Sequence, residues 1–127
     1  MSLRLVLDTS AILVYAHGGD DADGVGELIR EGATEEDAQF GALVTCLAEA
    51  TLRLPPDLRP MVGVLATHGR FTTLAEPNDW RVLGRRAVEL KSVTRAATRL
   101  AATARSAYVA TREPHMYGPS DDAIIPV

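Results

Sequence analysis

The 127 residues make a chain of ordinary single-domain length, and with 46% hydrophobic residues it can bury a sizeable core without covalent staples. A lone cysteine, Cys46, excludes a disulfide framework and fits a reducing cytoplasm, and no apolar run is long enough to span a bilayer. The formal net charge of -4 hides a segregation. Asp20, Asp21, Asp23, Glu27, Glu31, Glu35, Glu36 and Asp37 crowd the first third, whereas Arg81, Arg85, Arg86, Lys91, Arg95, Arg99, Arg105 and Arg112 meet only Glu89 between Trp80 and Glu113.

In chain order, Leu5-Val6-Leu7 is an apolar run that stops at Asp8-Thr9-Ser10 before Ala11-Ile12-Leu13, a pattern that reads as strand, turn and helix, with no signal-peptide pattern ahead of it. At the carboxyl end of a parallel strand Asp8 would face the crevice where open α/β sheets hold ligands. Equally, Asp8, Thr9 or Ser10 would cap the helix that follows, and the two roles are compatible. That helix runs to His17, and Gly18 to Gly24 reads as a polar loop. Val25, Leu28 and Ile29 then mark a helix closed by Glu31-Gly32, Gln39 to Ala42 a short strand, and Leu43 to Leu54 a helix stopped by Pro55-Pro56. A short helix from Leu58 to His68 and a strand from Arg70 to Leu74 follow. Glu76-Pro77-Asn78-Asp79 opens the next helix, with Asp79 a structural charge near the positive end of its dipole. Ser92 caps a further helix whose core stripe is Val93, Ala96, Ala97, Leu100, Ala101 and Ala104. Tyr108 to Thr111 reads as a central strand, and Ala123 to Val127 as an edge strand that tolerates Pro126. Strands alternating with helices predict a parallel α/β sheet in one domain spanning residues 1–127.

Two further acids stand out beside Asp8. Glu49 is the only charged residue between Gly41 and Leu52, in a helix otherwise built of Leu, Val, Ala, Thr and Cys, so it must be paired, metal-bound or turned to solvent. Glu113 follows Val109-Ala110-Thr111 as Asp8 follows Leu5-Val6-Leu7, so on parallel neighbouring strands both carboxylates leave the sheet at one end. Oxygen ligands alone suit Mg²⁺ or Mn²⁺, and no His or Cys cluster suggests zinc.

With these motifs in place, the chain resembles the PIN domains, in particular the small VapC-like ribonuclease toxins. The resemblance rests on Leu5 to Leu13, on Leu47-Ala48-Glu49-Ala50 and on Tyr108-Val109-Ala110-Thr111-Arg112-Glu113-Pro114, in that order, and covers essentially the whole chain. It implies a three-layer α/β/α sandwich with a parallel central sheet, a homodimer, and RNA cleavage with Mg²⁺ or Mn²⁺ held by three or four acids. Asp8, Glu49 and Glu113 would fall on the first, second and fourth of these. The third falls at Thr94 or its neighbours, where the chain has Val93-Thr94-Arg95, and Glu113 stands where the family usually has Asp. No acid occurs between Glu89 and Glu113, and Glu89, five residues before Thr94, would lie about 140° round a helix from it.

Thr94 supplies only a weak neutral oxygen, and Mg²⁺ forgives missing ligands poorly, so a weakened or absent metal site is expected. Asp121-Asp122 before the last strand reads as turn chemistry, and His115 alone among the histidines lies near the expected crevice. The reading is therefore a degenerate PIN-like domain that binds a protein partner, such as an antitoxin, or an RNA, with weak or no nuclease activity. Arg81, Arg85, Lys91, Arg95 and Arg99 are the candidate RNA contacts. The alternatives are an active Mg²⁺- or Mn²⁺-dependent endoribonuclease of the VapC-like toxin type using Asp8, Glu49 and Glu113 with Thr94 positioning a water, and a purely structural homodimer module.

Overall fold

The computed structural model describes residues 2–32, 37–119 and 121–127. Its frame is a parallel sheet of β1 (Ser2–Leu7), β2 (Ala38–Leu43), β3 (Phe71–Leu74), β4 (Tyr108–Thr111) and β5 (Ile124–Pro126) in the order β3-β2-β1-β4-β5. The central place of β1 explains its composition: Leu5, Val6 and Leu7 are buried, as a strand covered on both faces requires. At the edge, Pro126 takes a position where an absent N–H disrupts no interior ladder.

Helices α1 (Thr9–His17), α2 (Asp20–Gly32), α3 (Val44–Arg53) and α4 (Pro60–Ala66) lie within the crossovers from β1 to β2 to β3. Helices α5 (Trp80–Leu90) and α6 (Val93–Ala104) lie in the crossover from β3 back past β1 to β4. Right-handed crossovers running in opposite directions across a sheet place their helices on opposite faces, which gives the α/β/α layering. Accordingly α6 packs on β1, β2 and β4, while α5 packs chiefly on α6.

Helix boundaries follow local chemistry. Asp79 caps α5 by accepting from Arg81 N and Val82 N at 3.1 and 3.4 Å, the structural role read from the sequence. Lys91, in the left-handed region at φ 59°, turns the chain into α6, where Ser92 Oγ accepts from Arg95 N at 3.1 Å. Pro60 begins α4 two residues later than the sequence pattern suggests, in the first turn where its missing N–H costs nothing.

Two expectations need correction. The core stripe of α6 is shifted, with Val93 and Ala104 exposed and Thr98 and Ala102 buried beside Ala96 and Ala97. The polar loop anticipated over Gly18 to Gly24 is confined to Gly18-Gly19, both at positive φ, because Asp20, Asp21 and Asp23 already form the first turn of α2. Carboxylates there complement the helix dipole, an effect that outweighs their low helix propensity. Glu35 and Glu36 of the acidic stretch lie outside the described residues.

Gly41 fixes the spacing of β2 and β3. A Cβ on it would stand 2.4 Å from Thr72 O and 3.1 Å from Thr72 Cγ2. Gly41→Ala is therefore expected to cost about 1–3 kcal/mol through overpacking against backbone, read as a lowered denaturant midpoint. An unchanged midpoint would show that the sheet opens there without strain.

Candidate functional site

The order β3-β2-β1-β4-β5 reverses direction between β1 and β4, and ligand crevices of open α/β sheets lie at such a switch, outside the carboxyl ends of the strands. Asp8 directly follows β1, and its backbone N donates to Ala110 O in β4 at 3.2 Å. Glu113 leaves β4 two residues beyond Thr111. The topology thus brings the first and last candidate acids to one place.

Asp8 is 5% exposed, and its two oxygens are separately satisfied. Oδ1 accepts from Ala11 N at 3.0 Å as the N-cap of α1 and from Ser10 Oγ at 2.6 Å. Oδ2 accepts from Tyr117 Oη at 2.8 Å, a donor supplied by the 3₁₀ turn Pro114–Tyr117. The cap and the crevice position are therefore both occupied by one carboxylate. Ser10 Oγ also accepts from Arg112 N at 2.8 Å and lies 3.1 Å from Thr111 Oγ1, which accepts from Glu113 N at 3.0 Å. Because the single Ser10 proton goes to Asp8, the Thr111 hydroxyl must donate to Ser10, and the whole chain of hydroxyls points at Asp8 Oδ1.

Glu49 projects from α3 and Thr94 from the first turn of α6. Thr94 Oγ1 makes a long 3.5 Å contact to Glu49 Oε1, and the same oxygen meets Arg53 Nη2 at 3.0 Å, one turn along α3. Glu113 Oε1 lies 3.8 Å from Arg95 Nη2, while Arg95 Nη1 donates to Leu90 O. Asp8, Glu49, Thr94 and Glu113 line a single polar cleft of about 40 Å³, with Arg53, Arg95 and Ser92 between them. A broader groove of about 520 Å³ adjoins it and shares Ser10, Arg53 and Glu113; Leu13, Val14, His17 and Arg112 complete most of its walls.

The other candidates are placed elsewhere. Glu89 belongs to α5 and pairs with Arg86 at 3.2 Å. Asp121 pairs with Arg99 and accepts from Ala123 N at 2.9 Å, so it serves the turn before β5. His115 is exposed on the 3₁₀ turn outside the cleft lining. Among the candidate RNA contacts, Arg95 and Arg99 are held in internal ion pairs, whereas Arg81 stacks over the exposed Trp80 ring at 4.8 Å and Arg85 lines the same surface.

Sequence reasoning singled out neither Tyr117 nor Arg53 for the cleft. Arg53 carried a usable signal, since it stands four residues after Glu49 on a helix. Tyr117 carried none, because its approach to Asp8 depends on the 3₁₀ turn.

These residues do not form a ready divalent-cation site. Asp8 has three of its roughly four acceptor positions filled by protein donors, and guanidinium groups stand against the other two carboxylates. Among the described residues no group of three or more His, Cys, Asp or Glu is arranged to hold a metal ion.

Burial, then the Asp8 charge and the hydrogen bond to it, push the Tyr117 phenol well above its ordinary value, so it stays a donor. Tyr117→Phe is expected to cost about 1–3 kcal/mol near neutral pH by removing a bond to a buried carboxylate. A phenol whose folded pKa is raised stabilises fully below its unfolded value and loses that contribution as pH rises. The wild-type advantage should therefore shrink above about pH 10, as chemical denaturation at stepped pH would read. A gap that stays constant into alkali would refute the buried donor role.

No protein-family model and no curated protein matches the sequence. Two solved structures share the architecture. VapBC2 from Rickettsia felis, bound to a DNA fragment from their promoter, superposes with a TM-score of 0.65 at 12% identity over 98% of this chain and 97% of that one. PAE2754 from Pyrobaculum aerophilum gives 0.64 at 19% identity over 97% of this chain and 83% of that one. The layered parallel α/β fold expected from the sequence is thus present, and these two structures share it.

Proposed function

We propose that this chain is a degenerate PIN-like domain that binds a protein partner beside its acidic cleft and has weak or no nuclease activity. The observation that carries the reading is Thr94. It lines the cleft beside Glu49, at the position where the family resemblance calls for an acid, and contributes a neutral hydroxyl instead. In-line phosphodiester hydrolysis by metal needs a fixed cation and an oriented water, and a site short of one anionic ligand holds the cation poorly.

A protein partner is favoured over RNA by two features. The groove adjoining the cleft has an apolar wall of Leu13 and Val14, with Arg53 and Arg112, themselves paired with Glu49 and Asp21, at its rim, a surface suited to an apolar peptide segment. Two of the five candidate RNA contacts, Arg95 and Arg99, already spend their charge within the chain. The structural neighbour VapBC2, a complex, is compatible with a protein partner. No helix among the described residues is long and apolar enough to cross a membrane.

Thr94→Asp tests the degeneracy. It should tighten Mn²⁺ binding tenfold or more, on the order of 1.4 kcal/mol, and raise thermal stability in Mn²⁺ by mass action. Wild-type protein should cut RNA no faster than Asp8→Asn. Robust wild-type cleavage abolished by Asp8→Asn would establish the active endoribonuclease instead.

RNA titrations separate the partner classes. A protein-binding domain should show RNA affinity that is negligible at physiological salt and insensitive to charge reversal at Arg81 and Arg85. A log–log salt slope of about 0.7 per neutralised phosphate, flattened by those reversals, would assign the basic face to RNA.

A further inference from the structure

We propose that Arg53 and Arg95 are the resident counter-ions of the polar cleft, and that the chain disfavours Mn²⁺ and Mg²⁺ by pairing its own carboxylates with these two guanidiniums. The inference rests on the proposed functional role of this cleft, but it concerns charge compensation rather than the ligand missing at Thr94.

Three carboxylates, Asp8, Glu49 and Glu113, line the cleft together with two guanidiniums, so its formal charge is -1 instead of -3. A divalent ion approaching it feels a correspondingly smaller attraction. A guanidinium keeps its charge at every physiological pH, and being tethered to the chain it competes at a high effective concentration. The two arginines are held unequally. Arg95 has a side chain only 15% exposed, donates to Leu90 O, and follows Thr94 in a first turn pinned by Ser92. Arg53 is 57% exposed and reaches Glu49 across one turn of α3 at 3.0 Å. Arg95 is thus the stronger compensator, and Glu113, one methylene longer than Asp, has the reach to approach it at 3.8 Å.

The third carboxylate is closed differently. Asp8 is occupied by Ser10, Ala11 N and Tyr117, none of which is a cation, so no guanidinium offsets its charge. Freeing Glu49 and Glu113 would leave that charge next to two released carboxylates, which is the condition under which a dication gains most. The expected order of Mn²⁺ affinity is therefore wild type, Arg53→Gln, Arg95→Gln, and the double variant highest.

Calorimetric titration of the whole chain with MnCl₂, paired with thermal denaturation in Mn²⁺, tests this. Arg53→Gln/Arg95→Gln should bind Mn²⁺ at least tenfold tighter than wild type. Arg95→Lys keeps the charge, and Arg112→Gln removes an arginine that pairs with Asp21 and Val127 O rather than with a cleft acid, so both should stay within twofold of wild type. Should Arg95→Gln fail to fold, Arg53→Gln, altered at an exposed position, carries the test with an expected gain of threefold. Equal affinity of wild type and the double variant overturns the proposal, and so does a gain of the same size in Arg112→Gln. A gain from Thr94→Asp with none from the arginine variants would overturn it while leaving the degeneracy reading intact; the reverse pattern would sustain it and overturn that reading.

Discussion

The site depends on one constraint, the burial of the Asp8 carboxylate at the end of the central strand. A carboxylate that is 5% exposed costs several kcal/mol unless its oxygens are hydrogen-bonded. Its donors come from separated parts of the chain: Ser10 and Ala11 from the first turn of α1, Tyr117 from the 3₁₀ turn beyond β4. Satisfying one side chain therefore ties residues more than a hundred positions apart. The Thr111 to Ser10 contact extends the tie to the backbone of Arg112 and Glu113. The last third of the chain is positioned by an acid in its first ten residues.

The opposite wall depends on a neutral contact. Cys46 is fully buried, and its Sγ lies 3.3 Å from Thr98 Oγ1, which donates to Thr94 O at 2.8 Å. The threonine proton is thereby used, so the thiol is the donor to Thr98. Burial pushes that thiol upward in pKa and keeps the donor protonated. This contact links α3 to the first turns of α6, and Glu49 follows Cys46 by three residues on the same side of α3. One α3 face thus runs from a buried thiol, through Glu49 at the cleft, to the solvent-exposed Arg53. Glu49 and Thr94 face each other beside this contact between α3 and the first turns of α6.

Local chemistry made most of the frame legible in the sequence. The apolar run Leu5 to Leu7, the caps Asp79 and Ser92, the stop at Pro55 and the edge tolerance of Pro126 each act within a few residues, and each agrees with the structure. The start of α2 was hidden because acids and glycines in Gly18 to Gly24 resemble a loop until the dipole of the following helix is considered. The cleft was legible to the extent that strand order could be inferred, since Asp8 and Glu113 share a sheet end only if β1 and β4 are neighbours. What binds to those acids was legible only in that three close acids call for a cation among them, which Arg95 supplies beside Glu113. Tyr117 reaches Asp8 through a 3₁₀ turn with no periodic signal, and the Arg95 contacts to Glu113 and Leu90 O depend on the left-handed turn at Lys91 that orients α6.

Magnitudes decide what the arginine contacts mean. The Arg53–Glu49 pair is half exposed on one side, and its partner is 28% exposed, so it falls in the class worth about 0–1 kcal/mol to folding. The Arg95–Glu113 contact, at 3.8 Å with Glu113 46% exposed, belongs with it. Neither pair therefore explains why the fold is stable; burial of β1 and the satisfaction of Asp8 supply far more. The same small free energies weigh differently toward a ligand. Two guanidiniums cancel two of three negative charges in a cleft of about 40 Å³, while an ion must still shed water to enter it. The fold thus answers most of the charge of its own cleft at little cost to stability. The adjoining groove differs in kind, since Leu13 and Val14 give it an apolar wall while its rim arginines, Arg53 and Arg112, are paired with Glu49 and Asp21.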